Sequence, residues 1–259
     1  MERPELSCIT IDVDGAVARV TLSRPERLNA LSRDLLREVV TVSRWLDAER
    51  AIKVAIVAGA GRAFSAGFDL GDFTTMEPGT SQRDTADLGR LAAEALTDTR
   101  PLTIAAIHGH CVGGGLVLAA ACDLRVAAAG ARFSIPEVDL GIPLAWGGIP
   151  RLVRELGPAV TKELVLTCRP FGADEALALR FLNRVVPDET LAATVDALAR
   201  ELAAKPAFSL RTTKQQVNAV MEEIGSTRRN AVDADVLTAA MADEESRAAG
   251  RAYLARRKG

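Results

Sequence analysis

Three consecutive glycines in the segment His108–Leu116 could present bare backbone N–H groups to a ligand. Gly113–Gly115 follow a predicted strand at Leu102–Ile107 and open a predicted helix that runs to about Cys122. A backbone without side chains can be approached closely, and a helix N-terminus carries partial positive charge. The pattern therefore indicates a site that stabilises a developing anion. Close packing of a helix on a strand explains the three glycines about equally well.

Glu137 is the candidate acid or base. Aliphatic residues surround it in the sequence, namely Ile135, Val138, Leu140, Ile142 and Leu144. A carboxyl group in apolar surroundings has a raised pKa, which suits proton transfer near neutral pH. On local sequence alone, a glutamate exposed in a turn remains the better interpretation.

Other chemistry near these glycines is disfavoured. Neither the G-x-G-x-x-G pattern of dinucleotide sites nor the G-K-[ST] end of a P-loop is met. His108 and His110 lie two positions apart without nearby partner ligands, so we interpret them as structural and expect no metal site.

An alternation of strands and helices must position these residues. Ser7–Leu22 predicts two strands around a turn at Asp14-Gly15, because apolar residues recur there with a period of two. Ser32 is placed to cap a following helix. Buried strands are predicted at Lys53–Val57, Leu102–Ile107 and Leu124–Ala128. Helical stretches between them favour an α/β core with parallel pairing.

The last part of the chain predicts helices alone. They span Leu191–Ala204, Ala207–Ile224, Asn230–Met241 and Glu244–Arg257. Their apolar faces must cover something, either the rest of the chain or another subunit. We therefore predict a core domain at 1–192 and a C-terminal helical region at 193–259.

Composition excludes several classes of protein. The 259 residues carry 32 Lys+Arg against 34 Asp+Glu, and this net charge of -2 is unlike that of a nucleic-acid-binding protein. Aromatic residues make up only 4%, so platforms for stacking bases are not expected. Four separated cysteines without C-x-x-C spacing favour a reducing compartment. With no apolar run of about 18 residues and no leader-like start, we expect a soluble cytoplasmic protein without a membrane partner.

Further strings occur in a fixed order along the chain. Residues 22–31 read L-S-R-P-E-R-L-N-A-L, residues 64–70 read F-S-A-G-F-D-L, and residues 121–125 read A-C-D-L-R. Gly147-Gly148 and Arg151-Leu152 follow Glu137, and residues 250–257 read G-R-A-Y-L-A-R-R. Together with the glycine loop, their order and spacing resemble the crotonase superfamily, also called the enoyl-CoA hydratase/isomerase family, almost from end to end.

The resemblance implies an α/β fold, a crotonase-type spiral of ββα units with a C-terminal helical region. It implies a homotrimer, or a hexamer that is a dimer of trimers. The implied substrate is an acyl-CoA thioester, and no separate cofactor is expected because coenzyme A is part of the substrate. The shared step forms a thioester enolate held by two backbone N–H groups, which match Phe68 and Gly114. Glu137 matches a catalytic glutamate.

The resemblance also assigns positions that bind the acyl-CoA, namely Arg24, Arg27, Ala30, Ala66, Asp69, Val117, Arg256 and Arg257. Arg24 and Arg27 match basic residues near the CoA phosphates, and the Ala66 backbone matches a contact with adenine. Arg256 or Arg257 matches a position that reaches a phosphate, often across a subunit interface. Residues 74–90 match a variable region that shapes the acyl pocket, and their main apolar residue is Met76.

One position departs from the pattern of hydratases. Their second catalytic glutamate lies three residues after the middle glycine of the loop, and Val117 stands there. A helical turn separates Val117 from Gly114, so both should face the same side. Ala145 occupies a further position where some members of the family carry an acid.

A single carboxylate favours moving a double bond over adding water. Isomerisation needs one base and an oxyanion site, whereas hydration also needs a group that orients water. The predicted function is therefore an enoyl-CoA isomerase or a weak enoyl-CoA hydratase that acts through Glu137. A non-catalytic acyl-CoA-binding protein and a full hydratase with a substitute residue remain open, although nearby Trp146 cannot act as a base.

Overall fold

The computed structural model describes residues 2–73, 81–227 and 232–256. Met76 and Arg257, to which the sequence analysis gave roles, lie outside these residues. The strands are β1 (Ile9–Asp14), β2 (Val17–Leu22), β3 (Val54–Gly59), β4 (Leu102–Ile107), β5 (His110–Val112), β6 (Leu124–Ala128), β7 (Arg132–Ser134), β8 (Phe171–Gly172) and β9 (Arg184–Val186). The helices are α1 (Arg33–Ala48), α2 (Gln82–Asp98), α3 (Gly114–Ala121), α4 (Gly148–Leu156), α5 (Pro158–Thr167), α6 (Ala173–Ala178), α7 (Leu191–Ala203), α8 (Ala207–Ile224), α9 (Asp233–Ala242) and α10 (Glu244–Arg256).

Two sheets form the framework. The large sheet has the order β1-β2-β3-β4-β6-β9, with β1 antiparallel to β2 and every later pair parallel. The small sheet has the order β5-β7-β8. The chain passes from β4 to β5 and then α3, and again from β6 to β7 and then α4, so each passage visits both sheets before a helix. The predicted spiral of ββα units is confirmed.

Local sequence explains where α1 begins. The Ser32 hydroxyl accepts a hydrogen bond from the Leu35 N–H at 3.2 Å, as the sequence predicts for an N-cap. The helix then buries an apolar stripe that includes Leu36, Val39 and Leu46. This stripe belongs to the main core, which α1, α2 and α3 share with one face of the large sheet.

Helix α7 covers the opposite face of the large sheet. Leu191, Val195, Leu198 and Ala199 form one cluster with strand residues that include Val54, Ile56, Ile104 and Val126. The domain boundary suggested at residue 192 therefore falls in the first turn of α7. The core of the sheet continues through residues 193–203.

Helices α8, α9 and α10 complete the C-terminal region close to their predicted bounds. Helix α9 packs against α2, and α10 packs against α9. Glycines let α10 approach the rest of the chain closely: a Cβ on Gly250 would lie 2.9 Å from the Leu140 carbonyl oxygen. Within the described parts of the chain, no helix has both the length and the apolar character needed to cross a membrane.

Candidate active site

Two loops that follow β3 and β4 are held side by side. Ser65 and Cys111 form a parallel bridge, with the Ser65 N–H donating to His110 and the Val112 N–H donating to Ser65, both at 3.0 Å. A Cβ on Gly67 would lie 2.8 Å from the Val112 carbonyl oxygen, and Gly67 has a φ of 86°. Only glycine fits this close approach with this backbone conformation.

A second bridge orients Phe68. The Leu31 N–H donates to Gly67 at 2.8 Å, and the Asp69 N–H donates to Leu31 at 3.1 Å. Because these bonds flank Phe68 in a parallel bridge, its own N–H points to the side away from Leu31. Phe68 lines a cleft on the wall that it shares with Gly114.

Gly114 lies at the first position of α3. Gly113 caps that helix with φ 50° and ψ -118°, and its carbonyl accepts the first helical bond from Val117 at 3.1 Å. An N–H in the first helical turn has no partner within its own helix and lies at the positive end of the helix dipole. Val117 lines the same cleft as Gly114 and is only 1% exposed.

The Glu137 carboxyl lies against this glycine loop. Glu137 follows β7 at the start of a turn, in which the Leu140 and Ile142 N–H groups donate to its carbonyl at 3.0 and 2.9 Å. Its Oε2 is shielded from solvent and has no hydrogen-bond partner among the described residues. Burial raises the pKa of Glu137 to about 7. The glutamate is therefore in a turn, but its carboxyl is buried, which the local sequence had not favoured.

The cleft in front of Glu137 is large and mostly apolar. It measures about 960 Å³, its open mouth included. Its described lining contains one other carboxylate, Asp72, whose Oδ2 accepts the Arg33 N–H at 2.8 Å. Val117 and Ala145, the positions at which relatives could carry an acid, present apolar side chains to the cleft.

Several lining residues were not predicted from the sequence. Leu237 and Met241 reach the cleft from α9, and Tyr253 reaches it from α10 of the same chain. The apolar periodicity of these helices predicted that they cover something, but it carried no signal of what. Trp146 also lines the cleft, and its position before Gly147-Gly148 was the only hint.

The residues assigned to CoA binding differ in their surroundings. Arg24 is held by Asp69, with 2.9 Å between Nη1 and Oδ2, and it also donates to the Ala30 carbonyl at 2.6 Å. The side chain of Arg27 is 59% exposed and lies 3.9 Å from Asp69. Ala66 lines the cleft, and since its N–H donates to Leu28 at 2.9 Å, its carbonyl is the group left for a ligand.

The two remaining sets of predicted residues lie away from this centre. Arg256 is exposed at the end of α10, one helical turn after Tyr253. The His108 Nε2 lies 2.9 Å from the Gly61 carbonyl oxygen, a contact that ties the two loops together. The described residues contain no group of three or more His, Cys, Asp or Glu side chains that could hold a metal ion.

Comparisons with known proteins agree with this fold. Residues 12–259 match the family model described as enoyl-CoA hydratase/isomerase. The short-chain-enoyl-CoA hydratase of Clostridium acetobutylicum is 32% identical over 255 residues, which cover 98% of this chain and 97% of that protein. The fold is that of the crotonase superfamily.

Solved structures show the same relationship. An enoyl-CoA hydratase/carnithine racemase from Magnetospirillum magneticum has a TM-score of 0.79 and 35% identity, covering 83% of this chain and 82% of its own. An enoyl-CoA hydratase/isomerase from Mycobacterium paratuberculosis has a TM-score of 0.88 and 26% identity, covering 96% and 99%. The chain belongs to the enoyl-CoA hydratase/isomerase family.

Proposed function

We propose that the protein is an enoyl-CoA isomerase that converts 3-enoyl-CoA to 2-enoyl-CoA with Glu137 as its single acid and base. One observation carries this proposal. The Glu137 Oε2 is buried beside the glycine loop without a hydrogen-bond partner in the described parts of the chain. Asp72, the other carboxylate in the described lining of the cleft, accepts a hydrogen bond from the Arg33 N–H. A lone buried carboxylate with a pKa of about 7 is suited to take and return one proton.

The reaction follows from this arrangement. The thioester oxygen accepts hydrogen bonds from the Phe68 and Gly114 N–H groups. Glu137 removes a proton from C2, and the electron pair of that C–H bond delocalises over the thioester and the C3–C4 double bond as a dienolate. Glu137 then returns the proton to C4, so that the double bond lies between C2 and C3. Each preorganised N–H donor can contribute about 3–4 kcal/mol to stabilising the dienolate.

Hydration requires more catalytic groups than isomerisation does. A water molecule must be oriented at C3 while another group gives a proton to C2, and this work suits two carboxylates that share the water. Val117, 1% exposed, and Ala145 supply no polar atom beyond the backbone. The wall around C2 and C3 therefore favours proton transfer over the addition of water.

Hydration is nevertheless the second candidate, because the relative from Clostridium acetobutylicum is named a short-chain-enoyl-CoA hydratase. A partly protonated Glu137 could still donate to C2 near neutral pH. A third possibility, an acyl-CoA-binding protein without activity, is disfavoured. A buried carboxyl oxygen without a hydrogen-bond partner among the described residues costs folding free energy, and binding alone does not need it.

A matched panel of substrates tests the proposal. Rates are measured with 2-enoyl-CoA and 3-enoyl-CoA esters of equal chain length, with Glu137→Gln as the inactive control. We expect kcat/KM for isomerisation to exceed that for hydration at every length that binds. Faster hydration would overturn the isomerase proposal, and binding without turnover of either series would support the non-catalytic alternative.

We further propose that the protein assembles as a trimer or as a dimer of trimers. Exposed apolar side chains on α8, on α9 and at the N-cap of α9 support this. They are Phe208, Val217, Val220, Ile224, Val232 and Val236, each at least 50% exposed. Val217, Val220 and Ile224 lie on one face of α8 by their spacing, and such patches mark interfaces between proteins. Light scattering should give a molar mass of either three or six times 27.5 kDa. A stable monomer would refute the assembly.

A further inference from the structure

Contacts with α2 and α9 hold the side chain and the backbone around Trp146 in place. Its φ of 61° is a left-handed conformation that tryptophan seldom adopts. The next residue, Gly147, donates its N–H to the Asp233 Oδ2 of α9 at 2.8 Å. A strained conformation of this kind persists only where neighbouring contacts enforce it, and such conformations cluster at functional sites.

The indole ring is fixed from behind by α2. Its Nε1 donates to the Ala86 carbonyl at 3.0 Å. Gly89, one turn further along α2, leaves room for the ring: a Cβ there would lie 1.9 Å from the Trp146 Cδ2. Helix α2 therefore offers a hydrogen-bond acceptor for the indole N–H and space for the ring, and both contacts hold the ring in its observed orientation.

The front of the ring contacts both residues whose N–H groups hold the thioester oxygen in the proposed function. A Cβ on Gly114 would lie 2.2 Å from the Trp146 Cζ3, so the ring packs directly on the Gly114 backbone. The Phe68 ring meets the indole edge to face, with 5.6 Å between centroids and 80° between planes. One rigid side chain thus contacts both halves of the oxyanion site.

We propose that Trp146 is a positioning residue that sets the spacing of the Phe68 and Gly114 N–H donors. This inference rests on the oxyanion site of the proposed function. Glycine-rich loops leave the backbone free to move, whereas donors stabilise a developing oxyanion only when their positions are fixed in advance. The ring removes that freedom, because neither donor can shift towards it without a clash.

The first test measures how strongly the site polarises a thioester. Butyryl-CoA labelled with ¹³C at the thioester carbonyl is the probe, since it has no double bond to hydrate or isomerise. In the wild type, two fixed donors should shift the carbonyl stretch to lower frequency in infrared difference spectra. In Trp146→Ala this shift should largely disappear, while the Kd for butyryl-CoA changes less than about threefold.

The second test separates kcat from KM in the isomerisation assay. Loss of one oxyanion donor lowers kcat by about 10²–10³ in other enzymes, so misplacement of both donors in Trp146→Ala should lower kcat by at least tenfold, with little change in KM. Trp45→Phe is the matched control. Trp45 is the other tryptophan of the chain, 5% exposed on α1 and outside the lining of the cleft, and its loss should change neither kcat nor the carbonyl shift.

Gly89→Ala tests the ring without removing it. The added methyl group displaces the indole, while alanine in place of glycine favours the helix by about 1 kcal/mol. Gly89→Ala alone should weaken the carbonyl shift and lower kcat, but it should add nothing in the Trp146→Ala background. This coupling would not arise from general destabilisation. If Trp146→Ala does not fold, Gly89→Ala alone decides the question.

The outcomes distinguish this inference from the proposed function. A full carbonyl shift and wild-type kcat in folded Trp146→Ala or Gly89→Ala would overturn the role of Trp146 and leave the isomerase proposal intact. A shift that the variants lose, in a protein that turns over no 3-enoyl-CoA, would uphold the role of Trp146 and refute the isomerase. No shift in the wild type would refute the oxyanion site and this inference together.

Discussion

The carboxyl group of Glu137 lies directly on the backbone of Gly113: a Cβ at that position would be 2.2 Å from the Glu137 Oε1. Gly113 precedes the Gly114 N–H by one residue and requires a positive φ of 50°. The same residue thus leaves space for the Glu137 carboxyl and caps the helix that begins at Gly114. In the proposed function, this contact places the proton acceptor beside the site where negative charge develops.

Replacing Glu137 with glutamine should remove catalysis and preserve binding. The amide keeps the shape of the side chain but cannot accept the C2 proton, so kcat should fall by about 10²-fold or more. The Kd for acyl-CoA should stay within a few-fold of the wild-type value. Asp139→Asn is the matched control, because Asp139 lies in the same turn but is exposed. Wild-type turnover by Glu137→Gln would remove Glu137 from the mechanism.

The pH dependence of activity should follow the titration of Glu137. Because burial raises its pKa to about 7, the free enzyme should lose kcat/KM about tenfold per pH unit below 7 and reach a plateau above it. An acidic limb near the ordinary glutamate value of 4.5 would show that another group is the base.

The titration of Glu137 should also change the free energy of unfolding with pH. The folded state holds the Glu137 proton more tightly than the unfolded state, so ionisation destabilises the folded wild type as the pH rises from 4.5 to about 7. Glu137→Gln should therefore be more stable than the wild type above pH 7 and equally stable below pH 4.5. Unfolding by urea at pH 4.5 and pH 8 measures this difference.

A second carboxylate at position 117 should shift the reaction towards hydration. Val117→Glu places an acid on the wall that Gly114 and Glu137 also line, where two carboxyls can share a water molecule. The variant carries a cost, because Val117 is buried and a Cβ on Gly148 would already lie 2.9 Å from its Cγ2. The ratio of hydration to isomerisation should rise at least several-fold in folded protein that still binds acyl-CoA.

Val117→Gln separates charge from polarity in this experiment. The amide can bind water but cannot share a proton with Glu137, so its hydration ratio should stay near that of the wild type. If Val117→Glu folds and binds acyl-CoA but the ratio is unchanged, position 117 does not control hydration. The argument from a single carboxylate would then fail.

Arg27 should contribute to binding of the CoA phosphates, whereas Arg24 in the same motif is already paired with Asp69. Arg27 is exposed and only loosely held by Asp69, so Arg27→Ala should raise KM for acyl-CoA several-fold with kcat unchanged. An N-acetylcysteamine thioester lacks the phosphates of CoA, and with this substrate the effect of Arg27→Ala should vanish. Arg37→Ala, which removes another exposed arginine, should leave both substrates unaffected. An equal effect on both thioesters would exclude a phosphate contact.

The sequence patterns predicted helices and strands well where an element is buried on one face or on both faces. The strands Leu102–Ile107 and Leu124–Ala128 have their predicted bounds, because continuous apolar runs mark strands that are covered on both faces. The order of the motifs also predicted that the Phe68 and Gly114 backbones and Glu137 belong to one site, and all three line the same cleft. Their spacing depends on two isolated bridges that pair residues distant in the sequence, which no local pattern encodes.

What the sequence missed depends on tertiary contacts. The apolar face of α10 did not predict that Tyr253 lines the cleft of its own chain. The string R-P-E-R does not distinguish Arg24, engaged by Asp69, from the exposed Arg27. The Trp146 ring occupies a gap at Gly89 in another helix, so its contact with Gly114 could be seen only in the fold.

Transfer of a labelled proton tests the central claim most directly. A 3-enoyl-CoA that carries deuterium at C2 is converted in ordinary water, and the product is analysed for deuterium at C4. If the Glu137 carboxyl takes and returns the proton, part of the label should move from C2 to C4 in the wild type. Conversion by Glu137→Gln should be about 10²-fold slower or more. Conversion to a 3-hydroxyacyl-CoA, or a 2-enoyl product without deuterium at C4 even in single turnover, would contradict a single base that carries the proton between the two carbons.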